Sequence, residues 1–425
     1  MSITDIYKIY QQFPSIQTDT RKLQKGDLFF ALKGPSFNGN HFAKQALDSG
    51  AAYVIADEEL PFTDEKIIRV ENVLEALQQL AKHHRNQFSI PFIAITGSNG
   101  KTTTKELLHE VLSSTFKTYT TQGNLNNHIG VPLTILKIKS HAEMAVIEMG
   151  ANHLHEIAGY CEYAQPTHGL ITNMGKAHIE GFGSVENVKK GKGELFDYLN
   201  LHNGVAFVNT DDEGVFAKSG FLKHKIFYGN KGGVINGSIS KNDPFIEVKI
   251  NGEKPVNIQT HLVGAYNLPN ILAAVCIGKY FKINDEKIKH AIENYLPSNS
   301  RSQLIKRNSN TIILDAYNAN PGSMKAAIEN FAAMKGDKKI LLLGDMKELG
   351  DESKKEHAAI VSLINKYKWQ TVVLVGENFA EIKGNHIHFE NSSQAGEWFK
   401  KEKIENAQIL VKGSRSMQME KVLES

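Results

Sequence analysis

The chain has 425 residues, of which 41% are hydrophobic and 22% are charged, and its formal net charge is +3. This composition is typical of a globular protein with two or three domains, and the small net charge favours neither a nucleic-acid nor a membrane partner. Two cysteines without paired spacing suggest neither a disulfide framework nor a zinc site. Because the N-terminus lacks signal-peptide character and no apolar run is long enough to cross a bilayer, we expect a cytoplasmic protein.

The first part of the chain, up to about residue 88, has the pattern of a small α/β unit. Apolar runs predict three short strands, and amphipathic runs between and after them predict two helices. The predicted strands cover 27–32, 52–55 and 67–70, and the predicted helices cover 42–47 and 73–84.

A glycine-rich turn at 96–104, with the sequence Thr-Gly-Ser-Asn-Gly-Lys-Thr-Thr-Thr, is the most informative stretch. It follows an apolar strand pattern and precedes an amphipathic helix pattern, so backbone amides and the helix N-terminus can face an anion. Lys101 would reach the β- and γ-phosphates of a nucleotide, and the Thr102 hydroxyl would bind Mg²⁺. The spacing Gly-x-x-Gly-Lys-Thr is two residues shorter than the common P-loop, and a plain turn before a helix is the alternative.

The second block, from about 89 to 296, alternates strands with helices, which predicts parallel pairing. Its predicted strands cover 91–96, 145–149, 169–173 and 205–208. From about 224 to 263 the pattern changes to alternating strands, with a hairpin of 245–250 and 256–258 around Asn251-Gly252. A helix is predicted at 268–281.

The third block begins near 297 and alternates strands with helices again, as a doubly wound sheet does. Its predicted strands cover 311–315, 339–343, 371–375 and 408–411. The predicted fold class is therefore α/β with three domains. They are a small N-terminal α/β domain at 1–88, a central P-loop domain with a mostly parallel sheet at 89–296, and a Rossmann-like doubly wound domain at 297–425.

Three side chains in the second block are candidates for a chemical role. Glu148 ends an apolar strand, where P-loop proteins place a metal-binding carboxylate, although a solvated acid is the alternative. His178 follows the next strand, at an edge where ligands bind in such sheets, but taken alone it is one histidine among 17. Lys192 lies on the apolar stripe of a helix that Ser184 caps, so it is either buried and paired, chemically modified, or extended to solvent.

Asparagine-rich loops stand beside several predicted strand ends, at 123–130, 267–270 and 315–321. Asparagine is a common turn residue, so each loop alone is a weak signal. Their number suggests recognition of a polar ligand, because binding residues gather on such loops.

Together these stretches resemble the Mur ligase family of peptidoglycan synthesis over nearly the whole chain. The matching segments include 19–21, 26–29, 96–103, 123–133, 147–151, 173–178, 192–194, 267–270, 315–323, 343–350 and 411–415. The strings Tyr-Asn-Ala-Asn-Pro at 317–321 and Gly-Asp-Met-Lys-Glu-Leu-Gly at 344–350 resemble the branch that adds D-alanyl-D-alanine. Three positions depart from the family pattern, namely 38–40 (Asn-Gly-Asn for Asp-Gly-His), His128 and Ala316.

The resemblance implies an ATP-dependent amide ligase whose first domain binds a uridine nucleotide, whose middle domain binds ATP and whose last domain binds a dipeptide and part of the ATP. Its implied small-molecule substrates are UDP-N-acetylmuramoyl-tripeptide, D-Ala-D-Ala and ATP, with Mg²⁺ as cofactor. The implied catalytic residues are Lys101, Glu148, His178 and Lys192, and the implied metal ligands are Thr102, Glu148, His178 and Lys192, with Lys192 carbamylated. The implied nucleotide-binding residues are Gly97, Ser98, Asn99, Gly100, Lys101, Thr102, Thr103, Asn267, Asn270, Arg301 and Asp315. The implied substrate-binding residues are Thr20, Arg21, Asn126, Asn127, Tyr317, Asn318 and Asn320.

The resemblance also implies the chemistry. The tripeptide carboxylate would take the γ-phosphoryl group of ATP, and the dipeptide amine would attack the resulting acyl phosphate. We expect a monomer with no nucleic-acid or membrane partner. Two alternatives stay open, namely a sister amide ligase of the folylpolyglutamate or another muropeptide type, and an ATP-binding regulatory protein that hydrolyses ATP as a switch.

Overall fold

The structure, a computed structural model, describes residues 1–298 and 300–424. Its first sheet has four parallel strands in the order β1-β2-β5-β6, and a short hairpin of β3 and β4 lies beside it. The strands are β1 Ile16–Gln17, β2 Leu28–Phe30, β3 Lys33–Gly34, β4 Phe37–Asn38, β5 Tyr53–Ala56 and β6 Ile67–Arg69, and the helices are α1 Ile3–Gln12, α2 Ala43–Asp48 and α3 Val73–Arg85.

The second sheet has nine strands in the order β15-β14-β13-β12-β11-β10-β7-β9-β8. Seven neighbouring strands pair in parallel, namely β13, β12, β11, β10, β7, β9 and β8. The strands β14 and β15 extend the sheet beyond β13 as an antiparallel hairpin. The strands are β7 Phe92–Thr96, β8 Thr118–Thr120, β9 Met144–Glu148, β10 His168–Ile171, β11 Val205–Asn209, β12 Lys225–Gly229, β13 Ile235–Asn242, β14 Phe245–Ile250 and β15 Val256–Val263. The helices are α4 Lys101–Ser113, α5 Gly130–Leu136, α6 Glu156–Ala164, α7 Ile179–Phe182, α8 Val185–Leu201, α9 Glu213–Lys218, α10 Leu268–Tyr280 and α11 Asp285–Asn294.

The third sheet has six strands in the order β16-β17-β21-β18-β19-β20, and all neighbours except β16 and β17 are parallel. The strands are β16 Gln303–Arg307, β17 Asn310–Asp315, β18 Lys339–Gly344, β19 Thr371–Val375, β20 Ile387–Phe389 and β21 Gln408–Lys412, and the helices are α12 Pro321–Ala333, α13 Ser353–Ile364, α14 Glu377–Ala380 and α15 Ser392–Lys401. The predicted α/β class, with parallel central and C-terminal sheets, is confirmed.

Burial explains why the central strands were predicted well. Every residue of β7 and β9 is buried, as expected for parallel strands that helices cover on both faces. The predicted hairpin is also present, and its connection comprises residues 251–255. The sequence pattern missed β1 and β8, because a strand of two or three residues is too short to display a period. It also missed the ten-residue helix α1.

The first unit is fixed to the second through the end of α3. The Arg85 guanidinium is buried and donates to the Ala164 and Gln165 carbonyl oxygens, both at 2.9 Å, at the end of α6. It also lies 3.8 Å from the centre of the Phe92 ring, at the start of β7. These contacts hold the N-terminal unit against the central sheet.

Among the described residues, no helix combines the length and apolar character that crossing a bilayer requires.

Candidate active site

The glycine-rich turn joins β7 to α4 and bends at two glycines with positive φ, +143° at Gly97 and +80° at Gly100. A Cβ atom at Gly97 would lie 2.0 Å from the Thr172 hydroxyl oxygen, and one at Gly100 would lie 2.7 Å from the Asn270 side-chain oxygen. Both positions therefore require glycine for space as well as for conformation. The first turn of α4, whose N–H groups have no acceptor within the helix, begins directly after this bend.

Contacts from the end of β10 hold the turn in place. The Asn99 N–H donates to Asn173 Oδ1 at 3.0 Å, and the Thr172 hydroxyl donates to the Asn99 carbonyl oxygen at 2.6 Å. The Ser98 hydroxyl donates to the Gly175 carbonyl oxygen at 2.8 Å. Lys101 folds back over the turn, its ammonium donating to the Gly97 carbonyl oxygen at 2.7 Å, and burial lowers the pKa of Lys101.

A cleft of about 860 Å³ opens above this turn, between the central and C-terminal sheets. Most of the predicted residues line it. They are Ser98, Asn99, Gly100, Lys101, Thr102, Thr103, Asn126, Asn127, Glu148, His178, Asn267, Asn270, Arg301, Asp315, Tyr317, Asn318 and Asn320. Gly97 and Lys192 contact this wall from behind rather than lining it.

Glu148, which ends β9, has the geometry expected of a metal-binding carboxylate. It is 1% exposed, and its Oε1 accepts hydrogen bonds from the Thr102 hydroxyl at 3.2 Å and from Asn126 Nδ2 at 2.8 Å. Its Oε2 is buried and has no hydrogen-bond partner among the described residues. A buried carboxylate oxygen without a partner is costly, and a hydroxyl beside it completes a hard-oxygen donor set. These two residues therefore fit Mg²⁺.

His178 lies in the same cleft but faces the C-terminal domain. Its Nδ1 is 2.6 Å from Glu348 Oε2, and this contact with His178 lowers the pKa of the Glu348 carboxyl. Within residues 1–298 and 300–424, no three His, Cys, Asp or Glu side chains are gathered as ligands of one ion. The metal role of His178 and Lys192 therefore stays a prediction.

Lys192 lies on α8, and its side chain is completely buried. Its ammonium donates to the Ala151 carbonyl oxygen at 2.8 Å and lies 5.2 Å from the centre of the Phe182 ring. Burial lowers the pKa of Lys192 well below its usual value, and the charge of Lys101 adds to that effect. The alternative that this side chain extends to solvent is wrong.

Asn267 and Asn270, two of the predicted nucleotide-binding residues, bridge α10 to the P-loop helix α4. Asn270 donates from Nδ2 to Asn267 Oδ1 at 2.9 Å and accepts at Oδ1 from the Thr104 hydroxyl at 3.0 Å. Asn267 donates in turn to the Val263 carbonyl oxygen at 3.0 Å. Both side chains are buried, so they also fix the position of α10 against α4.

The C-terminal domain contributes an aromatic and charged wall. The Arg301 guanidinium carbon lies 3.6 Å from the centre of the Tyr317 ring, a cation–π contact. Asp315 Oδ2 accepts from the Lys412 ammonium at 2.6 Å, and the same ammonium donates to the Asn318 carbonyl oxygen at 3.2 Å. The charge of Asp315 is thus compensated within the domain.

One hydrogen bond joins this wall directly to the P-loop. Asn320 caps the N-terminus of α12 by accepting from the Ser323 N–H, and its Nδ2 donates to Asn99 Oδ1 at 2.7 Å. An ion pair between Lys176 and Glu356, at 2.6 Å, lies across the same domain boundary. The two domains therefore stand in a closed arrangement over the cleft.

Two predicted substrate residues lie elsewhere. Thr20 and Arg21 form a short turn in the N-terminal unit, where Arg21 pairs with Asp19 at 2.8 Å, and neither lines the cleft. In the same N-terminal unit, Asn40, which departs from the family pattern, is buried and donates to Asp57 Oδ1 at 2.8 Å. Asn127 lines the cleft and accepts from the Gly130 N–H at 2.8 Å, at the start of α5.

Three residues that line the cleft were not predicted as site residues, namely Lys347, Glu348 and Lys412. Lys412 had a signal in the sequence, because it directly follows the apolar strand pattern 408–411 and lies in the matching segment 411–415. Glu348 lies in the matching string 344–350, but its pairing with His178 was not predictable, because the two residues belong to different domains.

Known protein families match this chain in three consecutive segments, one for each of its three sheets. Three family models match: "Mur ligase family, catalytic domain" at residues 12–85, "Mur ligase middle domain" at 95–278 and "Mur ligase, glutamate ligase domain" at 300–415. The UDP-N-acetylmuramoyl-tripeptide–D-alanyl-D-alanine ligase of Bacillus subtilis is 36% identical over 423 residues, covering 96% of this chain and 92% of that protein. The Escherichia coli enzyme of the same name is 35% identical with the same coverage.

Solved structures agree with this. The crystal structure of MurF from Acinetobacter baumannii matches with a TM-score of 0.89 and 28% identity, covering 98% of this chain and 97% of that one. MurF from Thermotoga maritima in complex with ADP matches with a TM-score of 0.85 and 26% identity, covering 96% of each chain. The likeness extends over all three sheets. This chain belongs to the Mur ligase family.

Proposed function

We propose that this chain is an ATP-dependent amide ligase that joins D-alanyl-D-alanine to UDP-N-acetylmuramoyl-tripeptide. The observation that carries the proposal is the glycine-rich turn with Lys101 and Thr102 beside the buried carboxylate of Glu148, within a chain that matches ligases of that name over 96% of its length. In this proposal residues 1–88 bind the uridine nucleotide, 89–296 bind ATP, and 297–425 bind the dipeptide and part of the ATP. The enzyme acts in the cytoplasm as a monomer.

The first step follows from the charges in the cleft. A carboxylate is a poor electrophile, so the terminal carboxylate of the tripeptide attacks the γ-phosphorus of ATP and forms an acyl phosphate, with ADP as the leaving group. The Lys101 ammonium moves from the Gly97 carbonyl oxygen to the phosphates, and the first turn of α4 donates N–H groups to them. Thr102 and Glu148 would hold Mg²⁺, which neutralises charge on the phosphate oxygens when it is bound.

The second step needs the C-terminal domain. The free amine of D-alanyl-D-alanine attacks the acyl carbon, and the tetrahedral intermediate collapses to an amide and inorganic phosphate, with the amine proton lost to solvent or base. Water would hydrolyse the acyl phosphate, so the cleft has to be closed during this step. The hydrogen bond from Asn320 to Asn99 supports such closure, because it ties the start of α12 to the P-loop.

Lys192 fits a carbamylated lysine. Burial and the charge of Lys101 lower its pKa, so more of the group is the neutral amine that adds to CO₂. That addition to the neutral amine forms a carbamate and releases one proton, so the buried side chain becomes an anion near Lys101. A carbamate here would give the site a further oxygen ligand for Mg²⁺.

The function is tested by incubating the purified protein with MgATP, UDP-N-acetylmuramoyl-tripeptide and D-Ala-D-Ala and weighing the products. We expect the pentapeptide product with equal amounts of ADP and phosphate, and phosphate release that requires both substrates. Lys101→Ala should lower ligation by about 10²–10³-fold or more, because developing phosphoryl charge loses its counter-charge. Lys139→Ala, at an exposed lysine of the same domain, should retain full activity.

Phosphate release that continues without an amine acceptor would contradict the ligase and support an ATP-driven switch. Ligation of a different amine acceptor in preference to D-Ala-D-Ala would indicate a sister ligase, of the folylpolyglutamate or another muropeptide type.

A carbamate at Lys192 predicts chemical rescue. Lys192→Ala should lose at least about a hundredfold in rate, since the variant lacks an anion and leaves a cavity, and short carboxylic acids such as acetate or propionate should restore part of the activity. Lys190→Ala, at an exposed position of the same helix, should be active and insensitive to these acids. No rescue, together with an unmodified Lys192 amine in the native protein, would show a merely structural lysine.

The bond between Asn99 and Asn320 predicts energetic coupling. Asn99→Ala leaves the backbone contacts of the turn intact, and Asn320→Ser keeps a helix cap but is too short to reach Asn99. Each should lower kcat/KM for D-Ala-D-Ala by about 3–10-fold, and the double variant should lose no more than the worse single variant. Effects that multiply in the double variant would mean that the two side chains act independently.

A further inference from the structure

A second cavity, of about 380 Å³, lies at the boundary between the N-terminal unit and the central domain. One wall is α3 of the N-terminal unit, with Gln78 and Lys82, and the other is α6, with Glu156, Tyr160 and Glu162. We name this cavity the α3–α6 groove. Nothing in the proposed two-step chemistry uses its outer part.

The groove is continuous with the active-site cleft. Glu156 and Tyr160, one helical turn apart on α6, line both cavities. Glu156 is also close enough to Lys192 for its charge to raise the pKa of that lysine, against the larger effect of burial. The groove therefore begins beside the catalytic machinery and extends away from it along α6, toward Glu162, about 9 Å further at 1.5 Å per residue.

This position restricts what can occupy the groove. If the chain is the ligase proposed above, the reacting carboxylate of the tripeptide lies at the phosphates of ATP. The side chain of the third peptide residue is attached to the α-carbon next to that carboxylate. That side chain must enter a space continuous with the cleft. The same substrate must also reach the N-terminal unit, which supplies the opposite wall through α3.

The far end of the groove presents one charge of each sign. Lys82 Nζ and Glu162 Oε2 are 3.8 Å apart, and their side chains are 37% and 68% exposed. That separation is longer than a charge-assisted hydrogen bond, and exposed pairs of this kind contribute about 0–1 kcal/mol. A ligand can therefore separate the two groups at little cost. Tyr160 and Tyr163 contribute aromatic side chains to the lining of the groove, and Tyr160 also lines the cleft.

We propose that the α3–α6 groove binds the side chain of the third peptide residue and that it selects a side chain ending in an ammonium and a carboxylate on one carbon, as in diaminopimelate. Glu162 receives the ammonium and Lys82 receives the carboxylate, while the methylene stem lies against Tyr160 and Tyr163. A lysine side chain would satisfy Glu162 alone and would place its ammonium near Lys82. This assignment rests on the proposed function and adds the substrate class to it.

The test compares kcat and KM for two tripeptide substrates, with meso-diaminopimelate or L-lysine at the third position. The native enzyme should prefer the diaminopimelate substrate about tenfold, the difference that one charge-assisted contact supplies. Lys82→Met should raise KM about tenfold for that substrate alone, and Glu162→Gln should raise KM for both, with kcat unchanged because neither residue touches reacting atoms. Glu75→Gln, an exposed acid on α3 outside the groove, should change neither.

Equal changes in KM for the two substrates in Lys82→Met, or a native preference for the lysine substrate, would overturn the groove assignment and leave the proposed function standing. Ligation of neither tripeptide by the native enzyme would overturn the proposed function, and the groove assignment with it. Calorimetric titration of each tripeptide without ATP gives the same comparison for binding alone, so a variant with impaired turnover still decides the question.

Discussion

Parallel pairing in the central sheet is the constraint on which the rest of this site depends. The register of β7 with β9 sets Ile95 opposite Glu148, and the register of β7 with β10 sets Thr96 opposite Ile171. Because parallel strands end at the same edge, the glycine-rich turn, the buried carboxylate and the loop that carries His178 all begin at one level. The Thr102 hydroxyl is therefore close enough to donate directly to Glu148 Oε1.

Contacts between the central and C-terminal domains cover the cleft, which the central sheet alone leaves open to water. Asn320 reaches the P-loop residue Asn99, and Glu348 reaches His178, so two separate contacts tie the C-terminal domain to the phosphate-binding edge. An acyl phosphate is a reactive species that survives only where water is excluded. Under the proposed function, the covering domain has two roles, because it binds the amine acceptor and shields the acyl phosphate from water. At the other end of the molecule, α3 and Arg85 hold the N-terminal unit at a fixed place on the central sheet.

Local sequence patterns predicted the parts of this arrangement that depend on local interactions. Buried strands such as β7 and β9 have continuous apolar runs, and the spacing around Lys192 correctly placed that lysine on the apolar face of its helix. The pairing of His178 with Glu348 was not predictable, because it joins residues of different domains. The α3–α6 groove was missed for the same reason, since Lys82 and Glu162 lie 80 positions apart on an exposed surface.

The proposed mechanism requires that the tripeptide carboxylate be phosphorylated before the amide forms. The most direct test uses tripeptide substrate labelled with oxygen-18 in its terminal carboxylate and measures the mass of the phosphate released during ligation. Attack of that carboxylate on ATP, followed by displacement at carbon, predicts one labelled oxygen in each phosphate. Released phosphate that carries no oxygen-18 would show that no carboxylate oxygen was transferred to phosphorus, and it would contradict this mechanism.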